Sequence, residues 1–96
     1  MTDYALLLKH LTTGSDDERD TARQTLYALD EEAIEPLVDQ FYAGVNEATG
    51  LAILEIVSDI GGWEARMLLE DVVHLSARYP YESWRVAARL GLQQYT

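Results

Sequence analysis

Residues 15–30 read SDDERDTARQTLYALD, and this stretch decides the fold. Ser15 can accept the amide of residue 18, and Glu18 can reach back to the amide of Ser15. That reciprocal pair is a capping box, a signal for a helix start. Asp16 and Asp17 add negative charge to the first turn, where the helix dipole is positive. Gly14 just before permits a sharp bend into the helix. Ala22, Leu26 and Leu29 then recur at steps of four and three and form one apolar seam, with Asp17, Asp20 and Gln24 on the opposite face.

Working outward, five more helices are predicted. Helix one covers Asp3 to Leu11, capped by Thr2 or Asp3, with Tyr4, Leu7, Leu8 and Leu11 on a broad apolar face. Asp30 ends helix two and is expected to cap helix three. Helix three runs to Ala43, and Gly44 stops it. Proline removes a helical hydrogen bond, so the expectation is a tight turn over Glu31–Ile34 with Pro36 in the first turn of the main helix. Asn46 caps helix four, which reaches Asp59 or Ile60 with Ala52, Ile53, Ile56, Val57 and Ile60 in its stripe. Gly50 inside it costs about 1 kcal/mol against alanine, which implies close approach of a neighbouring helix. Gly61-Gly62 breaks the chain. Helix five is predicted from Trp63 to about Arg78, with Ala65, Leu68, Leu69 and Val72 inward. Arg78–Tyr81 is a turn, because Pro80 disfavours helix at Tyr79. Helix six is predicted from about Tyr81 to Gln94, with Trp84, Ala88 and Leu92 inward. No segment alternates apolar and polar residues for long, so no strand is predicted and the fold class is all-α.

The 96 residues are enough for one domain with one modest core. The hydrophobic share of 48% and charged share of 25% suit a soluble globular chain. No apolar run nears the roughly 20 residues that span a bilayer. The first residues carry Asp3 where a signal peptide would carry Lys or Arg. With 0 cysteines there is neither a disulfide framework nor a thiolate metal site. These features point to a reducing, cytoplasmic setting. The formal net charge is -10. Residues 1–30 carry three basic and six acidic side chains, residues 31–61 none and seven, and residues 62–96 four of each. Phosphate backbones and anionic membranes need clustered Lys and Arg, so neither nucleic acid nor a membrane is expected as a partner. A basic protein surface is.

The helices recur. Arg19, Ala22, Leu26 and Leu29 match Gly50, Ile53, Val57 and Ile60 at a shift of 31 residues (19 to 50). Those match Arg85, Ala88, Leu92 and Tyr95 at a shift of 35 (50 to 85). On the first helices, Leu6, Leu37 and Leu68 are spaced by 31 and 31, as are Leu7, Val38 and Leu69. Several matches at one shift indicate a tandem unit, with copies at about 1–30, 31–61 and 62–96 of a single domain. The unit resembles the HEAT repeat, in the short form also found in phycobilisome-lyase-type proteins. The residues carrying the resemblance are DDERDTARQTLYAL at 16–29, AIEPLVDQF at 33–41, IVSDIGG at 56–62 and WRVAARLGL at 84–92. The spacing is shorter than the ~40–47 residues of typical HEAT units, and Gly50 stands where that family places arginine. The resemblance implies a right-handed α-solenoid of three antiparallel hairpins. First helices would line the convex side and second helices the concave one. Such proteins are mostly binding scaffolds, and no catalytic residue carries over.

Sites follow from the same projection. Asp17, Asp20, Gln24 and Tyr27 point outward from helix two, Leu51, Glu55 and Ser58 from helix four, and Val86, Leu90 and Gln93 from helix six. These ten are the candidate partner-binding residues, because leucine and valine on an outward face mark contact sites. Helix six also carries Trp84, Leu92 and Tyr95 with little polar relief, so this end is expected to self-associate or dock. Both tryptophans are expected in the core, Trp84 inward and Trp63 beneath the Gly61-Gly62 turn, with Tyr79 and Tyr81 freer on their loop. His10 and His74 lack a second ligand at helical spacing, and the acidic groups at 16–18 and 31–35 lack a calcium-loop pattern. No phosphate loop, nucleophile elbow or HExxH appears. The reading is therefore a non-enzymatic interaction module without metal or cofactor. A small acidic inhibitor, such as an immunity protein or antitoxin covering a cationic site, shares the same physics. An accessory of chromophore attachment is a third reading, by fold analogy alone.

Overall fold

The structure, a computed structural model, describes residues 2–75 and 77–95. Six helices follow one another: α1 (Tyr4–Thr13), α2 (Asp16–Leu29), α3 (Glu31–Ala43), α4 (Glu47–Ile60), α5 (Trp63–His74) and α6 (Glu82–Leu92). A single 3-10 turn, Gln93–Tyr95, closes the chain. Among the described residues there is no strand, and no helix is long and apolar enough to cross a membrane.

The starts are made by the expected chemistry. The Leu6 amide donates to Asp3 Oδ1 at 3.1 Å. The capping box of α2 is complete, with Glu18 N to Ser15 Oγ at 3.3 Å and Ser15 N to Glu18 Oε1 at 3.0 Å. Asn46 accepts from Thr49 N at 2.8 Å. Asp30 differs. It takes a left-handed φ of 52°, turns the chain from α2 into α3 in one residue, and makes no side-chain cap.

Pro36 also differs from expectation. It lies inside one continuous α3 that begins at Glu31. Proline at 36 leaves the Glu32 carbonyl without its helical donor. The Tyr4 hydroxyl donates to that carbonyl instead, at 3.4 Å. Helix five ends at His74, short of Arg78, because Leu75 leaves helical geometry. The early exit lets Tyr79 turn back into the core, 5.6 Å from the Phe41 ring and 6.3 Å from that of Trp84. Tyr79 is thus buried rather than free. Ser76, placed by the sequence in helix five, lies outside the described residues.

Buried positions recur along the chain, with one difference from the sequence alignment. Ile34, Leu37, Val38 and Phe41 of α3 and Ala65, Leu68, Leu69 and Val72 of α5 are buried at a shift of 31 (34 to 65). In α1 the equivalent positions are Tyr4, Leu7, Leu8 and Leu11, a shift of 30 (4 to 34). Leu6, aligned with Leu37 from the sequence, is 46% exposed. The one-residue difference comes from the connections: two residues join α1 to α2, and three join α3 to α4. Of the other positions aligned by sequence, Ala22, Ile53 and Ala88 are all buried, as are Leu26 and Val57, whereas Leu92 is only partly so.

The core centres on α4, which packs against each of the other five helices. It buries Ile53, Leu54, Ile56 and Val57, whereas α2 buries only Ala22 and Leu26. Long-range hydrogen bonds join like ends of helices two steps apart in the order. Tyr4 reaches Glu32 at the starts of α1 and α3. Tyr27 reaches Asp59 at the ends of α2 and α4, at 2.5 Å. Tyr42 reaches Asp71 late in α3 and α5, at 2.6 Å. Ser83 Oγ and Trp84 Nε1 donate to Glu47, the first residue of α4, at 2.7 and 2.9 Å.

Candidate functional site

Above α4, between α2 and α6, the surface opens into two adjoining hollows of about 260 and 270 Å³. Arg23 and Glu55 line both, so the two form one groove. Small residues line much of it: Ala48 and Ala52 from α4, Ala87 and Gly91 from α6. Leu51 lines the hollow toward α1, where Leu11 and Thr12 close it. Leu90 and Gln94 line the hollow toward the chain end.

The groove's charged groups are held from below. The Arg23 guanidinium stands 5.3 Å from the centre of the Tyr27 ring, a cation–π contact. The Tyr27 hydroxyl donates to Asp59 Oδ2. Burial, with the Asp59 carboxylate beside it, pushes this hydroxyl up to about 12. Glu55 is exposed and, among the described residues, makes no ion pair.

The ten residues named from sequence divide. Leu51, Glu55 and Leu90 come together in the groove, Leu90 with 58% of its surface exposed. Tyr27 borders it by holding Arg23 and Asp59. Asp17, Asp20 and Gln24 are exposed on α2 but do not line it, nor do Val86 and Gln93. Ser58 also lines the groove, with a correction: it is only 6% exposed and does not point outward. Its hydroxyl donates to the Leu54 carbonyl at 2.6 Å beneath Gly91, where α6 presses on α4. Arg23 was not among the ten. Its position four residues before Tyr27, one helical turn, is the signal that could have found it.

Other surfaces also move. Trp63 is 70% exposed, with Met67 beside it one turn on, and does not lie beneath the glycine turn. Gly62 carries a φ of 100° that swings α5 out of the turn before Trp63 begins it. At the other end Trp84 is buried at 5%, and Leu92 and Tyr95 are half-buried. The exposed large apolar residues of α6 are Val86 and Leu90. His10 Nε2 lies 3.4 Å from Glu18 Oε2, and His74 is exposed at the end of α5. Among the described residues no three His, Cys, Asp or Glu side chains converge as metal ligands would.

Compared with known protein families, with curated proteins and with solved structures, the chain finds no match.

Proposed function

We propose that this chain is a non-enzymatic, HEAT-like interaction module: three antiparallel hairpins stacked as a short right-handed solenoid, which binds a protein with a basic surface through the groove over α4. The observation that carries the stacking is the set of tyrosine, serine and tryptophan hydrogen bonds described above. Each joins a helix to its counterpart one copy along, start to start or end to end. Helices joined this way run parallel, as equivalent helices do when each unit touches only its neighbours.

Binding is supported by the groove itself. It combines an exposed leucine, a small-residue lining and an unpaired carboxylate at Glu55. The net charge of -10 attracts basic surfaces and repels acidic ones. A second reading, the acidic inhibitor, is favoured by one further feature. Glu31, Glu35 and Asp39 form an exposed stripe along α3 at one-turn intervals. A target that engages this stripe and ignores the groove fits the inhibitor reading.

The test is capture of defined proteins on the immobilised chain, at roughly 0.05 M and 0.5 M salt. The expected result is retention of basic proteins at low salt and release at high salt. Retention that ignores charge and salt overturns the proposal.

A further inference from the structure

We infer that the groove over α4 seats a single amphipathic α-helix of the partner, apolar along its buried side and bearing lysine or arginine along one edge. This rests on the interaction-module reading and goes further, to the kind of element bound.

Width is the first argument. α4 packs between α2 and α6. Packed helices stand 8–10 Å apart, so the axes of α2 and α6 would be separated by at most roughly 16–20 Å across α4. That spacing leaves room above α4 for one helix, which is about 10 Å across. The groove follows α4, whose 14 residues give it a length of about 21 Å. A backbone can approach closely only where the lining is small, and Ala52 and Ala87 provide that lining. Leu90, more than half exposed, and Leu51 offer the apolar contacts.

The occupant's backbone supplies the second argument. An extended peptide gains affinity by adding to a sheet edge. Among the described residues there is no strand to add to. A helix bonds its own amides and carbonyls internally and needs only side-chain contact.

Charge selects the edge. Glu55 sits where the two hollows meet and has no ion pair among the described residues, and Asp59 lies one turn further along the same wall. Arg23 is drawn over the Tyr27 ring and leaves Glu55 open. A second copy of this chain would bring another -10 against the first, so a homodimer through the groove is disfavoured.

The probe is a labelled peptide of about four helical turns with a leucine–alanine stripe and a lysine edge, read by fluorescence anisotropy and circular dichroism. Two controls carry glutamate in place of the lysines, or a central proline. The lysine-edged peptide is expected to bind and gain helicity, and both controls to bind at least about tenfold more weakly. Leu90→Glu and Glu55→Lys each are expected to cut binding by about tenfold or more with the protein's own helical signal unchanged. Equal binding of the proline peptide, equal binding to both protein variants, or no binding of the lysine-edged peptide overturns the inference. If basic proteins are still captured by Leu90→Glu, capture by an acidic surface stands, and the groove falls as its site together with the groove-bound helix. If the unaltered chain captures no basic protein, the module itself falls.

Discussion

Gly50 of α4 lies directly under the indole of Trp84 of α6. A Cβ placed on Gly50 would stand 2.5 Å from Trp84 Cε2. The ring has nowhere to go. It is 4.8 Å from the Phe41 ring and 4.7 Å from that of Tyr81, and its Nε1–H is bonded to the Glu47 carbonyl. The same interface closes again two turns later, where Gly91 admits Ser58. Helices α4 and α6 therefore join through two points at which a side chain meets bare backbone.

Gly50→Ala is expected to destabilise the protein even though alanine is the better helix former. Helix propensity favours the change by about 1 kcal/mol, whereas overpacking against a fixed ring costs about 1–3 kcal/mol. A net loss lowers the thermal midpoint by about 4–8 °C per kcal/mol in a domain of this size. In a Trp84→Leu background the same substitution costs less or becomes favourable. A Gly50→Ala protein as stable as the parent would show that α6 does not press on α4 here.

The tyrosine clasps make the fold sensitive to alkali. Burial and the Asp59 carboxylate raise the Tyr27 hydroxyl from its ordinary 10 to about 12, and burial followed by Asp71 raises Tyr42 in the same direction. The unfolded chain gives up these protons first. Their contribution is present in full below pH 10 and fades as the pH rises through the folded values, so stability falls over that window. Tyr27→Phe with Tyr42→Phe is expected to be less stable at pH 8, by about 0.5–1.5 kcal/mol per hydrogen bond at most. Its stability is also expected to fall less steeply above pH 10. Chemical denaturation at a series of pH values reads both effects, and parallel curves for the two proteins would contradict the clasps.

The residues that were legible in the sequence are those whose surroundings are local. Ser15 and Glu18 are three residues apart, and their capping box forms as read. Gly50 was legible by its misfit, since glycine inside a helix needs a reason and Trp84 is that reason. Two misreadings come from neighbours distant in sequence. Pro36 was moved to a first turn because its lost bond looked unsatisfied, yet Tyr4, far back in the chain, satisfies it. A projection of α4 alone turns Ser58 outward, because it cannot include α6, which covers it. Trp63 was placed in the core by its size, but the left-handed glycine before it decides otherwise. In the groove Leu51, Glu55 and Leu90 follow from period alone, while Arg23 joins them only because α4 and α6 pack beside α2, which its local pairing with Tyr27 does not show.

The capping box predicts a response to acid. The Ser15 amide, then the Ser15 hydroxyl, then the charge of His10 hold the Glu18 carboxyl below its ordinary 4.5. A lowered carboxyl contributes stability that is present above that value and is lost as the pH falls below it. Ser15→Ala is expected to cost about 1 kcal/mol at neutral pH. Glu18→Gln keeps a bond to the Ser15 amide and is expected to flatten the acid side of the profile. Amide hydrogen exchange at residues 15 and 18 is the local readout. Unchanged protection in Ser15→Ala would mean that α2 starts by other means.

Pro36 and Tyr4 give the sharpest test of how α1 and α3 meet. Pro36→Ala restores an amide at a position where the Glu32 carbonyl lacks a helical donor. Interior proline costs a helix about 3 kcal/mol against alanine, and the freedom returned to the unfolded chain offsets about 0.4–1 kcal/mol. The variant is thus expected to be more stable than the parent. The Tyr4 hydroxyl then competes with the new amide for one carbonyl. Tyr4→Phe is expected to cost about 0.5–1.5 kcal/mol in the parent and less in the Pro36→Ala background. The coupling, read as the departure of the double variant from additivity, isolates the interaction from other effects of each change. Strict additivity of the two substitutions would remove the Tyr4 bond as the tie between α1 and α3.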